Sequence, residues 1–245
     1  MWDYLGGFDF GKANPTAALV ACVDHDGVIY VLREYYAPGM TPKQHKEYLD
    51  RFDDFRAGPM YADPSMFFPT QAQADGTFKA LSAMFAEEGI YLAQAPERHE
   101  LLGMERILAH WHNLDEREPT LKIVCPKQFQ DLAKPDYRVW NSGCPNLLWE
   151  LRRARREELT ATQLQNKNPS EKIVDKDNHL RDCLKYLVLT LPEPAQKSLN
   201  QIIQERVRPL VEARDLTSAT IRALQIKAEF EQAAKPIRLG RYRRS

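Results

Sequence analysis

The chain has 245 residues, of which 43% are hydrophobic and 28% charged, enough to bury a full core in one large domain or in a domain with an appendage. This composition excludes disorder as the main state, and no apolar run approaches the roughly 18 residues that a membrane helix needs. The 34 Lys+Arg balance the 34 Asp+Glu, so attraction to nucleic acid has to come from local charge segregation rather than from net charge.

The start, Met1-Trp2-Asp3-Tyr4, lacks the basic and apolar segments of a secretory signal, which predicts a cytoplasmic protein. Tyr4 to Phe10, Thr16 to Val23 and Val28 to Tyr36 are rich in β-branched and aromatic residues. Turn signals at Ala13-Asn14-Pro15 and Asp24-His25-Asp26-Gly27 separate them, which predicts three sequential antiparallel strands. Thr41-Pro42 offers an N-cap and a first-turn proline for a helix to about Phe52, and Met60-Tyr61-Ala62 reads as a short buried strand. Asp75 to Glu88 is helical in composition, Ile90-Tyr91-Leu92 reads as a strand, and Leu101, Met104, Leu108 and Trp111 recur at helical spacing before a strand from Leu121 to Val124. Three strands followed by such alternation predict a mixed sheet covered by helices.

Pro145 to Arg156 reads as a helix ending in a basic cluster, and the polar stretch Thr160 to Lys176 as a loop or hairpin. A last core helix begins near His179, with Leu180, Cys183, Leu184, Leu187, Val188 and Leu191 on one face. The expected division is a core of residues 1–191 and a helical appendage of 192–245, broken near Pro209 and Asp215 and ending in a basic tail. Cys22, Cys125, Cys144 and Cys183 stand far apart without a CxxC pair, as expected of reduced, mostly buried thiols. His110 and His112 flank Trp111 at a spacing that puts them on different sides of a helix, against a shared metal.

Gly6 to Ala13 nearly spells a phosphate-binding loop, but the chemistry is wrong. Ala13 lacks the hydroxyl that holds magnesium, Asp9 sets a negative charge among the phosphates, and turn and strand follow where the motif needs a helix. Asp9 is of more interest: it sits between Phe8 and Phe10, so strand alternation turns its carboxylate away from their face. A carboxylate in such a strand is either paired or bound to a metal, or else lies at an edge open to water. Asp63 follows the Met60-Tyr61-Ala62 strand, where open α/β sheets place ligand-binding side chains, although Asp-Pro is also ordinary turn chemistry. His179, Asp182 and Tyr186 share one helical stripe, which suits either a metal site or a structural pair. Asp175 and Asp177 read as charges at that helix's N-terminus.

Gly7-Phe8-Asp9-Phe10-Gly11, Asn14-Pro15-Thr16-Ala17, Tyr61-Ala62-Asp63-Pro64-Ser65 and Asp177-Asn178-His179 with Asp182, Leu184, Lys185 and Tyr186 occur in this order. Together they resemble the nuclease domain of bacteriophage terminase large subunits, over roughly Tyr4 to Leu191. The resemblance implies an α/β, ribonuclease-H-like mixed sheet flanked by helices. It implies metal ligation by Asp9, Asp63 and Asp182 with His179 as a supporting residue or further ligand, and two divalent ions, Mg2+ or Mn2+. Carboxylates are the hard donors such ions prefer, and two ions together activate water and stabilise the leaving oxygen in phosphodiester hydrolysis.

The implied activity is endonucleolytic cleavage of double-stranded viral concatemers during packaging, in the cytoplasm of the infected bacterium and with no membrane involved. The implied partners are a terminase ATPase motor, a small terminase subunit and a portal. This sequence starts almost at the first catalytic strand, so the motor is expected on another chain or on a removed segment. Arg152, Arg155, Arg156, Lys167, Lys172 and Lys176 are candidates to track DNA phosphates, with Glu150, Glu157 and Glu158 as competing acids nearby. The alternatives are another ribonuclease-H-like enzyme, such as a Holliday-junction resolvase or strand-transfer enzyme, and a non-catalytic docking module.

Overall fold

The three opening apolar runs form β1 (Asp3–Asp9), β2 (Pro15–Val23) and β3 (Ile29–Pro38), paired antiparallel in sequence order. A computed structural model describes residues 3–11, 14–96, 100–111, 119–138, 143–155, 176–192 and 199–233. Gly6 to Asp9 lie inside β1 as regular strand, so the near-match to a phosphate-binding loop has no loop to support it. Beyond β3, α1 (Pro42–Leu49) starts at Thr41. The Thr41 hydroxyl accepts the Gln44 N–H while the Gln44 side chain accepts that of Thr41, a reciprocal cap.

The chain continues through β4 (Met60–Ala62), β5 (Pro69–Ala72), β6 (Phe78–Ala80), α2 (Leu81–Glu87), β7 (Leu92–Gln94), α3 (Glu100–Trp111), β8 (Leu121–Ile123), α4 (Pro145–Arg153) and α5 (His179–Leu189). The main sheet has six strands in the order β7-β4-β1-β2-β3-β8. β4 runs parallel to β1, β7 to β4 and β8 to β3. This is the expected ribonuclease-H-like mixed sheet flanked by helices. β2 is buried almost end to end because it lies inside the sheet with both faces covered.

Alternation along β1 assigns the two layers. Phe8 and Phe10 meet Phe85 of α2 edge-on, at ring separations of 5.2 and 5.3 Å. Gly7 and Asp9 point the other way, toward α5, with α3 and α4 packed beside it. A methyl group on Gly7 would lie 1.9 Å from the Cys183 carbonyl oxygen, so only glycine lets α5 come this close to the sheet.

Three expected elements differ. Asp75 to Glu88 is not one helix: Gly76 adopts φ 80°, Asp75 accepts the Thr77 N–H at 2.9 Å, and the resulting turn joins β5 to β6. Asp-Gly turn chemistry outweighs helical composition there, and helix begins only at Leu81. The strand expected at Ile90 to Leu92 is shifted to Leu92–Gln94, because Gly89 at φ 82° still belongs to the turn out of α2. The helix expected to reach Arg156 ends at Arg153, where Ala154 turns to ψ 118°. All four cysteines are free thiols, with Cys22, Cys144 and Cys183 buried.

The chain divides into two units, Met1–Pro194 and Ala195–Ser245. In the second, α6 (Leu199–Glu212) and α7 (Leu216–Ala233) pack on one another. Pro209 sits within α6 and does not end it. The break falls at Arg214, with φ 60°, and Asp215, which caps α7 by accepting the Ser218 N–H at 3.0 Å. The basic tail from residue 234 lies outside the described residues. No helix among the described residues is long and apolar enough to cross a membrane.

Candidate active site

Sheet register brings two of the candidate acids together. Phe8 of β1 pairs with Ala62 of β4 in parallel, so the residues that follow, Asp9 and Asp63, stand side by side where the two strands end. Side-chain ligands are commonly held at such carboxyl ends of parallel strands. The third acid arrives from above: α5 crosses β1 at Gly7, with His179 and Asp182 before the crossing and Tyr186 after it.

Each carboxylate is met by a side chain from α5 or its N-cap. His179 Nδ1 lies 2.9 Å from Asp9 Oδ2, and the Tyr186 hydroxyl donates to Asp63 Oδ2 at 2.8 Å. Asp63 also accepts the Ser65 N–H at 2.6 Å, which starts the short 3-10 turn Pro64–Phe67. Asp182 takes Asn178 Nδ2 at 2.9 Å on one oxygen and Lys185 Nζ at 3.0 Å on the other.

The electrostatics report the same convergence. Burial pushes the Tyr186 hydroxyl far above its ordinary pKa, and Asp182, Asp9 and Asp63 all add to the shift. One phenol therefore feels all three carboxylates. Burial lowers the pKa of the His179 imidazole, but the Asp9 carboxylate, followed by Glu150 and Asp182, more than reverses this, and the net shift is upward.

The donor set suits a hard divalent cation: three carboxylates from two strand ends and one helix, with Asp9 and Asp182 side chains 19% and 16% exposed. Among the described residues no three His, Cys, Asp or Glu side chains form a ready ligand cluster; His179, Tyr186, Asn178 and Lys185 hold the acids. Asp177, in the left-handed region at φ 51°, lies just ahead of the N-cap Asn178, and Asp175 lies outside the described residues. His110 is buried with Nδ1 3.0 Å from the Thr120 hydroxyl, and His112 lies outside the described residues.

Sequence reasoning missed two residues that position this site. Glu34 on β3 is fully buried and accepts the Asn146 and Leu147 N–H groups and Asn146 Nδ2 at 2.7 to 2.9 Å, capping α4. Glu150 on α4 in turn accepts the Arg181 N–H at 2.8 Å, which fixes the first turn of α5. Burial pushes both carboxyls up to about 8 despite these donors. Glu150 is thus an interior residue, not an acid offsetting the surface arginines.

In overall fold the chain is similar to the large terminase of a thermophilic bacteriophage, with 17% identity and a TM-score of 0.52 over 77% of this chain and 39% of that one. The fold is one that phage large terminases carry. The nuclease domain of the bacteriophage P22 large terminase is similar at 16% identity and TM-score 0.49, over 77% of this chain and 81% of that one. The Mn-bound nuclease domain of the bacteriophage SPP1 large terminase is similar at 18% identity and TM-score 0.47, over 75% and 84%. The chain spans about two fifths of the length of the whole large terminases it matches. No family model matches the sequence, and no curated protein matches it.

Arg152, Arg153, Arg155 and Lys176 line a groove of about 410 Å³ with Ala154 and Asp177, the residue before the N-cap of α5. Arg152 and Arg155 do not share a helix side, because α4 has ended before Arg155. Arg152 pairs with Asp131 at 2.6 Å, and Arg153 lies 4.6 Å over the Trp149 ring. Arg156, Lys167 and Lys172 lie outside the described residues.

Proposed function

We propose that this chain is a metal-dependent endonuclease that cuts double-stranded DNA concatemers during phage genome packaging. The observation that carries it is that Asp9 and Asp63 follow paired residues at adjacent strand ends and are hydrogen-bonded to His179 and Tyr186 of the helix that bears Asp182, on a fold that phage large terminases carry. Asp9 and Asp63, from adjacent strand ends, would hold a divalent ion, Mg2+ or Mn2+, and Asp182 completes the acidic group. A bound divalent cation supplies Lewis-acid activation of water and neutralises charge on the phosphate. His179 orients Asp9 and Tyr186 orients Asp63, as outer partners of carboxylate ligands do.

Arg155 and Lys176 give the groove a positive lining suited to a phosphate backbone, which grips DNA without reading its sequence. The proposed setting is the cytoplasm of an infected bacterium, with a terminase ATPase motor, a small subunit and a portal as partners. The test is cleavage of plasmid DNA with Mg2+ or Mn2+, against EDTA and the variants Asp9→Ala, Asp63→Ala and Asp182→Ala. Metal-dependent nicking and linearisation should disappear in EDTA, and Asp9→Ala should lower the rate by more than about a hundredfold, beyond what loss of an outer partner costs. Cleavage that survives all three substitutions overturns the assignment. A preference for branched DNA, or the appearance of joined products, would point to a resolvase or a strand-transfer enzyme instead.

A further inference from the structure

Loops are the mobile parts of a fold, yet the loop that carries Tyr137, a residue 41% exposed, is held from both sides. Asn146, buried at the start of α4, accepts the Asp136 N–H on Oδ1 at 2.7 Å and donates from Nδ2 to the Asp136 carbonyl at 3.1 Å. Asn146 is itself pinned, since Nδ2 also donates to Glu34 at 2.7 Å. The Asp136 carboxylate in turn accepts the Arg138 N–H at 3.0 Å and pairs with its guanidinium at 2.7 Å, which brackets residue 137. The Tyr137 ring lies 5.3 Å from that of Tyr36, tilted by 36°.

Tyr36 ties this loop to the acidic group through the sheet. Asp9 of β1 pairs with Ala17 of β2, and Ala17 with Tyr36 of β3, so Asp9 and Tyr36 share one row and one face, two strands and about 10 Å apart. Ala17 between them has only a methyl group, and the His179 imidazole spans the gap, with Nδ1 2.9 Å from Asp9 and the ring 6.5 Å from that of Tyr36. Asp9, His179, Tyr36 and Tyr137 thus form a row from the acidic group to the surface. Burial raises the Tyr137 hydroxyl above its ordinary pKa and the Asp177 and Glu150 carboxylates add to this, so the phenol is within electrostatic reach of Asp177, which lines the basic groove. A tyrosine held in this way has little conformational freedom left to lose on binding.

We propose that Tyr137 is a DNA contact that seats the duplex on the acidic group, its ring against a deoxyribose and its hydroxyl donating to the adjoining phosphate, about four nucleotides from the phosphate held at Asp9. This rests on the acidic group being the nuclease centre. Glu34 and Asn146 then hold the contact in place through Asp136, and Tyr36 backs its ring.

The test is duplex binding by fluorescence anisotropy, with Ca2+ in place of Mg2+ and over a range of salt concentrations, alongside steady-state plasmid cleavage and thermal melting of every variant. Tyr137→Ala should weaken binding about tenfold and raise KM by a similar factor, with kcat changed less than about twofold, while Tyr137→Phe, which keeps the ring, should cost about threefold. The slope of affinity against salt should stay the same in both, because a phenol displaces no counterion. Tyr91→Ala removes an equally exposed aromatic ring elsewhere and should change neither affinity nor KM. Wild-type affinity and KM in a folded Tyr137→Ala chain overturn the assignment, and so does a fall in salt slope, which would mean that the loop acts by holding the cations of the groove. If Tyr137→Ala melts early, Tyr137→p-benzoylphenylalanine decides: it should cross-link to the duplex under near-ultraviolet light, and a folded chain that gives no cross-link overturns the assignment. Each of these failures leaves metal-dependent cleavage by the wild type, and so the nuclease reading, standing. A wild type with no metal-dependent cleavage overturns both.

Discussion

Two sets of carboxylates serve α4 and α5, and their partners differ in kind. Glu34 and Glu150 are sealed from water and are met by backbone N–H groups at helix starts. Asp9, Asp63 and Asp182 stand partly exposed and are met mainly by side chains that can rotate away. An acid that terminates a helix cannot release its partner without unwinding a turn, whereas an acid held by a histidine or tyrosine can. The glutamates are therefore architecture, and they set the position of the helix that completes the aspartate group.

The harshest way to break this arrangement is at the point where α5 touches the sheet. Gly7→Ala drives a methyl group into the Cys183 backbone at 1.9 Å, and neither β1 nor α5 can give locally. A loss of about 3 kcal/mol or more is expected in urea denaturation, at the upper end for overpacking, and cleavage should fall with it. Glu34→Ala comes next. It strands three N–H donors inside the core and should cost about 3 kcal/mol, while Glu150→Ala, which strands the Arg181 N–H, should cost about 1 to 2 kcal/mol. The contrast is sharp if both glutamate variants, where still folded, bind Mn2+ as the wild type does, while Asp9→Asn loses the ion without losing stability.

The glutamates also predict a pH dependence with a definite sign. Each carboxyl titrates at about 8 in the fold against an ordinary 4.5, so between these values the folded chain holds protons that the unfolded chain releases. Their contribution to stability is whole below about 4.5 and is lost as pH rises through about 8. The melting temperature should fall from about pH 6 to about pH 8.5, and Glu150→Gln, which mimics the neutral acid, should flatten the fall. A melting temperature that rises over this range would mean that the buried carboxyls are ionised in the fold.

The same division explains what the sequence reveals. The strands were legible because apolar runs with clear turn residues between them have few other fates, and Asp9 because a charge between two aromatic residues has to be accounted for. The helix carrying Asp182 was legible from its apolar spacing. The contact between Tyr186 and Asp63 was not, since the residues are 123 apart and only parallel pairing of β1 with β4 brings them together. Glu34 and Glu150 gave no signal at all. An acid beside arginines on an amphipathic helix reads as a solvated face, and nothing local says that its partner is the start of another helix. The hairpin of β5 and β6 was hidden by helix-forming residues on the far side of Asp75-Gly76.

The smallest expected effect concerns the groove rather than the acids, and it sharpens the comparison from outside. Arg152 is already paired with Asp131, and Arg153 is spread over Trp149, so these two have less to offer a phosphate than their number suggests. Arg155 stands past the end of α4, exposed, and lines the groove with Lys176. Each cation that displaces counterions from DNA contributes about 0.9 to the slope of log affinity against log salt. Arg155→Ala should therefore weaken duplex binding only a few-fold but lower that slope by about one, with no change in Mn2+ binding or melting temperature. Arg152→Ala should lower it less, because its guanidinium is shared with Asp131. An equal loss of slope for both would mean that DNA pulls Arg152 away from Asp131, and that the groove rearranges on binding while the acidic group does not.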